Sequence, residues 1–233
     1  MLYLIGLGLD DGEITVKGRE ALEDADRAFV EFYTNTANID IEELEDDTGT
    51  DIQQLSREEV EQEERMLEAL EDGDVAFLVS GDPLTATTHY DIKHRAEQRG
   101  EKVEIVHAPS ILTSVAETGL NVYRFGRVVT LPENAKPVSV LDHIEANDSI
   151  GLHTLVLLDI DYRADEASQK LVEMGVDPDR EALVVERANQ GSQWINVGPL
   201  EDMTSADLGR TPHSIILVGE KDHKEAEFLA EHR

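Results

Sequence analysis

Residues 74–89 read DVAFLVSGDPLTATTH. The run Val75–Ser80 is continuously apolar up to its last residue. That is the pattern of a central parallel strand covered on both faces, where neither side can be polar. It ends in Ser80-Gly81-Asp82-Pro83-Leu84-Thr85. Gly81 lets a backbone approach closely, and Pro83 fixes φ and removes a donor. A strand running directly into such a turn and then into a helical pattern is an α/β unit.

Working outward, the same alternation recurs. Leu2–Gly6 reads as a buried strand, 15–26 as a helix and 28–33 as a second strand. Residues 40–74 are strongly acidic, with only Arg57 and Arg65 as cations. Within them Ser56-Arg57-Glu58-Glu59 is a capping box, in which hydroxyl and carboxylate satisfy orphan amides reciprocally. The helix that follows keeps Val60, Met66, Leu67 and Leu70 for its inner side, so the charge run reads as a solvated helix face. Helix 88–99, strand 103–107 and helix 110–118 complete the first half. Beyond a connection at 119–127, strands are expected at 128–131, 153–159, 181–188, 192–197 and 214–218, with helices at 138–147, 164–174 and 221–232. Gln190-Gly191 between two strands reads as a hairpin turn, so this half contains antiparallel pairing. The reading is two α/β domains, 1–120 and 121–233, the first mainly a parallel sheet and the second mixed.

Composition narrows the function classes. A chain of 233 residues and 25.9 kDa with 40% hydrophobic residues can build a sizeable core. Its formal net charge is −31. On a folded surface of about 10,500 Å², that is roughly one net negative charge per 340 Å². Self-repulsion at this density is relieved by salt, whose Debye length is about 3 Å at 1 M. Arginine outnumbers lysine 13 to 7. An acid-rich, lysine-poor surface with 5% aromatics is expected of a cytoplasmic protein from a salt-accumulating halophile. Nucleic acid and anionic membrane need a basic face and are not expected partners. The N-terminus lacks the basic n-region of a signal or transit peptide, and no apolar run approaches the ~20 residues of a membrane span. Cysteine is absent, which excludes disulfides, thiol nucleophiles and cysteine-bound metals.

Three turns after strands could carry chemistry. Gly6-Leu7-Gly8-Leu9-Asp10 resembles a dinucleotide loop, but Asp11 stands where the third glycine belongs. Its carboxylates disfavour a pyrophosphate, so a neutral or cationic ligand suits it, or it is a plain strand–helix turn. Asp82 could accept hydrogen bonds from ribose hydroxyls, offset a cation, or simply bond its own turn. Thr85, Thr87 and Thr88 follow, one of them expected to cap the next helix. In His107-Ala108-Pro109-Ser110-Ile111, Ser110 is a good N-cap at the carboxyl end of a sheet, where ligands gather in open α/β folds. His223 and Glu227 are spaced i, i+4, but no metal motif is present and no metal site is expected. No nucleophile elbow is present either.

The strings LYLIGLGLDDGEITVKG, EFYT, SREEVEQE, DVAFLVSGDPLTATTH, VHAPSI, TGLNVYRFG, GLHTLVLLDID and PHSIILVG, in this order, resemble the diphthine synthases. These belong to the tetrapyrrole-methylase-like class of S-adenosylmethionine methyltransferases. The resemblance spans the chain; GDPLTATTH with VHAPSI is its specific part. It implies two α/β domains, S-adenosyl-L-methionine in the cleft between them, and a homodimer. It implies trimethylation of the amino group of a 3-amino-3-carboxypropyl-histidine in translation elongation factor 2, giving diphthine. Position by position, it implies cofactor contacts at Leu9, Asp82, Thr85, Ser110, Ile111, Leu158, Ala188 and His213. The sequence departs from the family pattern in two places. LPENAKPVSVLDHIEAND is short for the family, and Glu186 precedes Arg187 where alanine is more frequent, which weakens the match at Ala188.

An activated methyl donor fits a chain without cysteine, metal motif or phosphate loop. Its displacement is mainly an orientation problem, with nitrogen about 3–3.5 Å from the methyl carbon. No residue's context marks it as a base; His89, His107 and His153 qualify only by titration class. A tetrapyrrole or precorrin methyltransferase of the same fold, and a non-catalytic S-adenosylmethionine-binding module, are the alternatives.

Overall fold

The computed structural model describes residues 1–33, 38–61 and 65–231. Thr34, Gln62, Glu63 and His232, which fall within motifs or a helix named above, lie outside them. The chain divides into two compact units, Met1–Leu112 and Thr113–Arg233.

The first unit is a five-stranded sheet in the order β3-β2-β4-β1-β5. The strands are β1 (Leu2–Gly6), β2 (Arg27–Glu31), β3 (Ile52–Gln54), β4 (Val75–Val79) and β5 (Val103–Val106), and every pairing is parallel. β4 is buried at every position, as its apolar run predicts. Its side chains alternate between two cores. Phe77 and Val79 join Leu2, Leu4 and Phe29 on one face, while Ala76 and Leu78 join Ile5, Ala28 and Val30 on the other. Helices α1 (Val16–Glu23) and α2 (Ile41–Thr48) supply Leu22 and Leu44 to the second face. Helices α3 (Arg57–Glu61), α4 (Arg65–Ala69) and α5 (Tyr90–Gln98) supply Val60, Met66, Leu67, Ile92 and Ala96 to the first. The capping box forms as expected: Glu59 accepts from the Ser56 amide at 2.8 Å, and the Ser56 hydroxyl accepts from the Glu59 amide at 3.3 Å.

Several elements differ from expectation. α1 stops at Glu23, capped at its start by Thr15. The strand β3 and helix α2 were hidden inside the acidic run. None of the threonines caps α5 by side chain; its cap position is His89, whose amide donates only a long 3.4 Å bond to Thr87 Oγ1. The helix expected at 110–118 is one α turn, α6 (Ile111–Ser114), continued by a 3₁₀ turn over Val115–Thr118. It ends at Gly119, whose φ of +75° and contact with the Phe228 ring both require glycine.

The second unit is a mixed sheet in the order β6-β7-β10-β8-β9. It comprises β6 (Val129–Leu131), β7 (Thr154–Leu158), β8 (Glu181–Glu186), β9 (Trp194–Pro199) and β10 (His213–Leu217). β6 and β7 run parallel and the other neighbours are antiparallel. β8 and β9 form the hairpin placed at Gln190-Gly191. α7 (Val138–Asp148), α8 (Ala164–Met174) and the short α9 (Leu200–Met203) pack Val140, Ile144, Ala167, Leu171, Leu200 and Met203 against one face of the sheet. α10 (His223–Glu231) closes the described chain.

Candidate active site

The three turns leave adjacent strands β4, β1 and β5 at one edge of the parallel sheet. They meet at Gly6. A Cβ there would lie 2.6 Å from the Gly81 carbonyl oxygen, 2.7 Å from Ala108 Cβ and 3.0 Å from Pro83 Cδ. Only glycine permits one atom of each neighbouring turn to come that near. Gly8 and Gly81 are then joined by reciprocal backbone bonds of 3.2 and 2.6 Å. Both have positive φ, +81° and +74°.

The first turn explains why it cannot cradle a phosphate. Glu13 Oε2 accepts from the amides of Leu9 (2.6 Å) and Asp10 (3.2 Å). Its side chain fills the space a Cβ on Gly8 would need. The amides that bind phosphate in a dinucleotide loop therefore already hold a carboxylate. Glu13 carries no mark in the sequence beyond its spacing four residues after Leu9, which does not separate it from the neighbouring acids.

Asp82 is buried and ties the second and third turns together. Its Oδ1 accepts from the Leu84 amide and the Thr85 hydroxyl, each at 3.0 Å, and its Oδ2 lies 2.6 Å from Nδ1 of His107. The bond to Leu84 is the turn-forming one expected of an Asp at this position. Burial pushes its pKa up, but the bonds from Leu84, His107 and Thr85 outweigh it and hold the carboxyl below its ordinary value. A carboxylate offers about four acceptor positions. Three are engaged here, leaving one for a ligand. Leu9 is buried and lies against Gly81, and Ser110 is buried; Thr85 and Ile111 are half-buried. Leu9, Asp82, Thr85, Ser110 and Ile111 thus share one sheet edge.

In the second unit, Leu158 ends β7, His213 begins the antiparallel β10, and Ala188 lies two residues past the end of β8. All three fall at one end of the mixed sheet. Ala188 sits between Arg187 and Asn189, whose φ values of +48° and +63° are unusual for side-chain-bearing residues. That conformation is held by Arg187, which donates to Ser192 O, Arg210 O and Glu186. Glu186, the departure from the family pattern, is buried and accepts from Asn196, Arg187 and the Gly209 amide. The His213 ring is not available to a ligand. Its Nδ1 accepts from the Ala164 amide at 3.1 Å and its Nε2 donates to Arg210 O at 3.0 Å, so only its backbone can serve.

The remaining base candidates separate cleanly. His153 is fully buried, with Nδ1 accepting from the Gly219 amide and Nε2 facing Glu225 at 3.2 Å. His89 is buried between Phe77 and Tyr33, 3.8 Å from Glu31, and burial lowers its pKa to about 4. His107 alone of the three has an exposed ring beside the turns.

The profile of the tetrapyrrole (corrin/porphyrin) methylases matches residues 1–204, which include all three turns of the first unit. The chain belongs to this family. Among curated proteins, it is similar to diphthine synthase of Halorubrum lacusprofundi, at 39% identity over 98% of this chain and 95% of that protein. It is also similar to diphthine methyl ester synthase of Schizosaccharomyces pombe, at 36% identity over 98% of this chain and 93% of that one. A crystal structure of a diphthine synthase superposes with a TM-score of 0.91 at 34% identity, covering 99% of this chain and 95% of the other.

Proposed function

We infer that this chain is an S-adenosylmethionine-dependent methyltransferase of diphthamide biosynthesis. It transfers methyl groups to the amino group of the 3-amino-3-carboxypropyl-histidine of translation elongation factor 2, and three transfers give diphthine. The reading is supported by near-full-length similarity to diphthine synthases and diphthine methyl ester synthases. The observation that carries it is the chemistry of the three-turn edge. The Leu9 and Asp10 amides of its first turn are occupied by Glu13, and the buried carboxyl of Asp82 is held below its ordinary pKa by its hydrogen bonds. An edge so arranged rejects phosphate and suits a ligand carrying positive charge, as a sulfonium does.

When bound, S-adenosylmethionine supplies the electrophilic methyl group. The residues that would hold it in the first unit are Leu9, Asp82, Thr85, Ser110 and Ile111, and in the second Leu158, Ala188 and His213. Asp82 would offset its charge, and the glycines at 6, 8 and 81 let the turns close around one another without side chains intervening. The homodimer belongs to the same proposal. No helix among the described residues is long and apolar enough to cross a membrane.

The test is transfer of radiolabel from S-adenosylmethionine labelled in its methyl group. Elongation factor 2 carrying the aminocarboxypropyl-histidine should become labelled in molar KCl, and the factor with the unmodified histidine should not. Equal labelling of both would move the acceptor elsewhere.

A further inference from the structure

We propose that His107, oriented by Asp82, is the base that removes the proton from the acceptor amine before each methyl transfer. The inference rests on the reading above that the acceptor is an amine. Asp82 Oδ2 and His107 Nδ1 are 2.6 Å apart, bridging turns 25 residues apart in sequence. An ionised carboxylate only accepts, so the ring's hydrogen sits on Nδ1 and the lone pair is left on Nε2. The carboxylate is itself fixed by Leu84 and Thr85 on its other oxygen. A base needs such an orienting partner and must reach its substrate. The His107 side chain is 68% exposed while that of Asp82 is 8% exposed, so the ring's open side faces solvent at the sheet edge. Exposure matters doubly, because a base used three times has to discharge its proton after each use.

The proton and electron count closes. The ammonium N–H bond breaks, the proton goes to His107 Nε2, and the electron pair stays on the acceptor nitrogen. That pair forms the new N–C bond as the C–S bond breaks, leaving a neutral thioether and a cationic nitrogen. His107 then returns its proton to water. After the first two transfers the nitrogen still bears a proton for the next cycle; after the third it bears none. His107 is the catalytic residue in this scheme and Asp82 the positioning residue.

The test has two readouts. ¹⁵N NMR of the unliganded protein should show the neutral ring of His107 protonated on Nδ1, with that preference lost in Asp82→Asn. An Nε2–H tautomer in the wild type would overturn the proposal whatever the enzyme's substrate proves to be. The second readout is single-turnover transfer at saturating cofactor. His107→Gln keeps an N–H for Asp82 but cannot act as a base, and should slow transfer by about 10²–10⁴-fold without changing cofactor affinity. Its rate should rise about tenfold per pH unit where the wild type has levelled off, as hydroxide substitutes for the base. Free imidazole should restore His107→Ala. A wild-type rate and pH profile in His107→Gln would overturn the proposal. A wild-type enzyme that transfers nothing to the amine would instead defeat the functional reading, while the tautomer still reports the pair.

Discussion

At the residue scale, Asp82 and Glu13 divide the labour at the sheet edge. On the proposed function Asp82 bonds the cationic cofactor, so Asp82→Ala would remove a charge-assisted bond worth about 1.5–3 kcal/mol. Calorimetric titration with S-adenosylmethionine should show affinity falling by about tenfold to a hundredfold. An unchanged dissociation constant would remove Asp82 from the site. Glu13→Ala deprives the Leu9 and Asp10 amides of their acceptor. It should destabilise the first unit by about 1–3 kcal/mol, read as a shifted denaturant midpoint. These two residues also mark how far sequence can be read. Asp82 announces itself by following the most apolar strand and a glycine. Glu13 does not, because a carboxylate folding back onto amides four residues earlier looks like one more acid in a chain of 51 Asp and Glu. The pairing of Asp82 with His107 is hidden for another reason. It exists only because β4 and β5 flank β1, which is a property of the sheet order.

At the element scale, the junction at Gly6 is the most constrained feature of the parallel sheet. Gly6→Ala would drive a methyl group against the Gly81 carbonyl and Ala108, and backbone cannot yield as a side-chain end can. The expected destabilisation is at least the 1–3 kcal/mol typical of overpacking, about as measured by equilibrium unfolding in molar KCl. A melting temperature equal to wild type would mean the turns are less interlocked than they stand. Long apolar strands and the capped helices were legible because periodicity and hydroxyl–carboxylate spacing are local signals. β3 was not: three residues, two of them exposed glutamines, at the edge of a sheet give no run to read. α6 is shorter than its sequence predicts because a good N-cap fixes where a helix starts but not where it gives way to the 3₁₀ turn that Gly119 ends.

At the scale of the whole molecule, charge and buried histidines set the response to solution conditions. With a net charge of −31, stability should rise with KCl into the molar range, and a melting temperature highest in dilute buffer would contradict the halophile reading. His89, His153 and His213 are each held below the ordinary histidine value, chiefly by burial. The unfolded chain therefore binds more protons below about pH 6.5, and stability falls as pH drops through that value. Each group adds up to about 1.4 kcal/mol per pH unit, the loss from His89 continuing to about pH 4. Asp82 and Glu225, whose pKa values are lowered, contribute stability above the ordinary carboxylate range that is lost at still lower pH. Chemical unfolding between pH 8 and 4 at constant KCl should show this decline, and a flat profile would contradict it. The most direct test of the central claim is mass spectrometry of elongation factor 2 bearing the aminocarboxypropyl-histidine, after incubation with this enzyme and S-adenosylmethionine in molar KCl. A gain of three methyl groups confined to that residue's amino nitrogen is the predicted result. No gain, with the enzyme folded and the cofactor bound, would contradict the account.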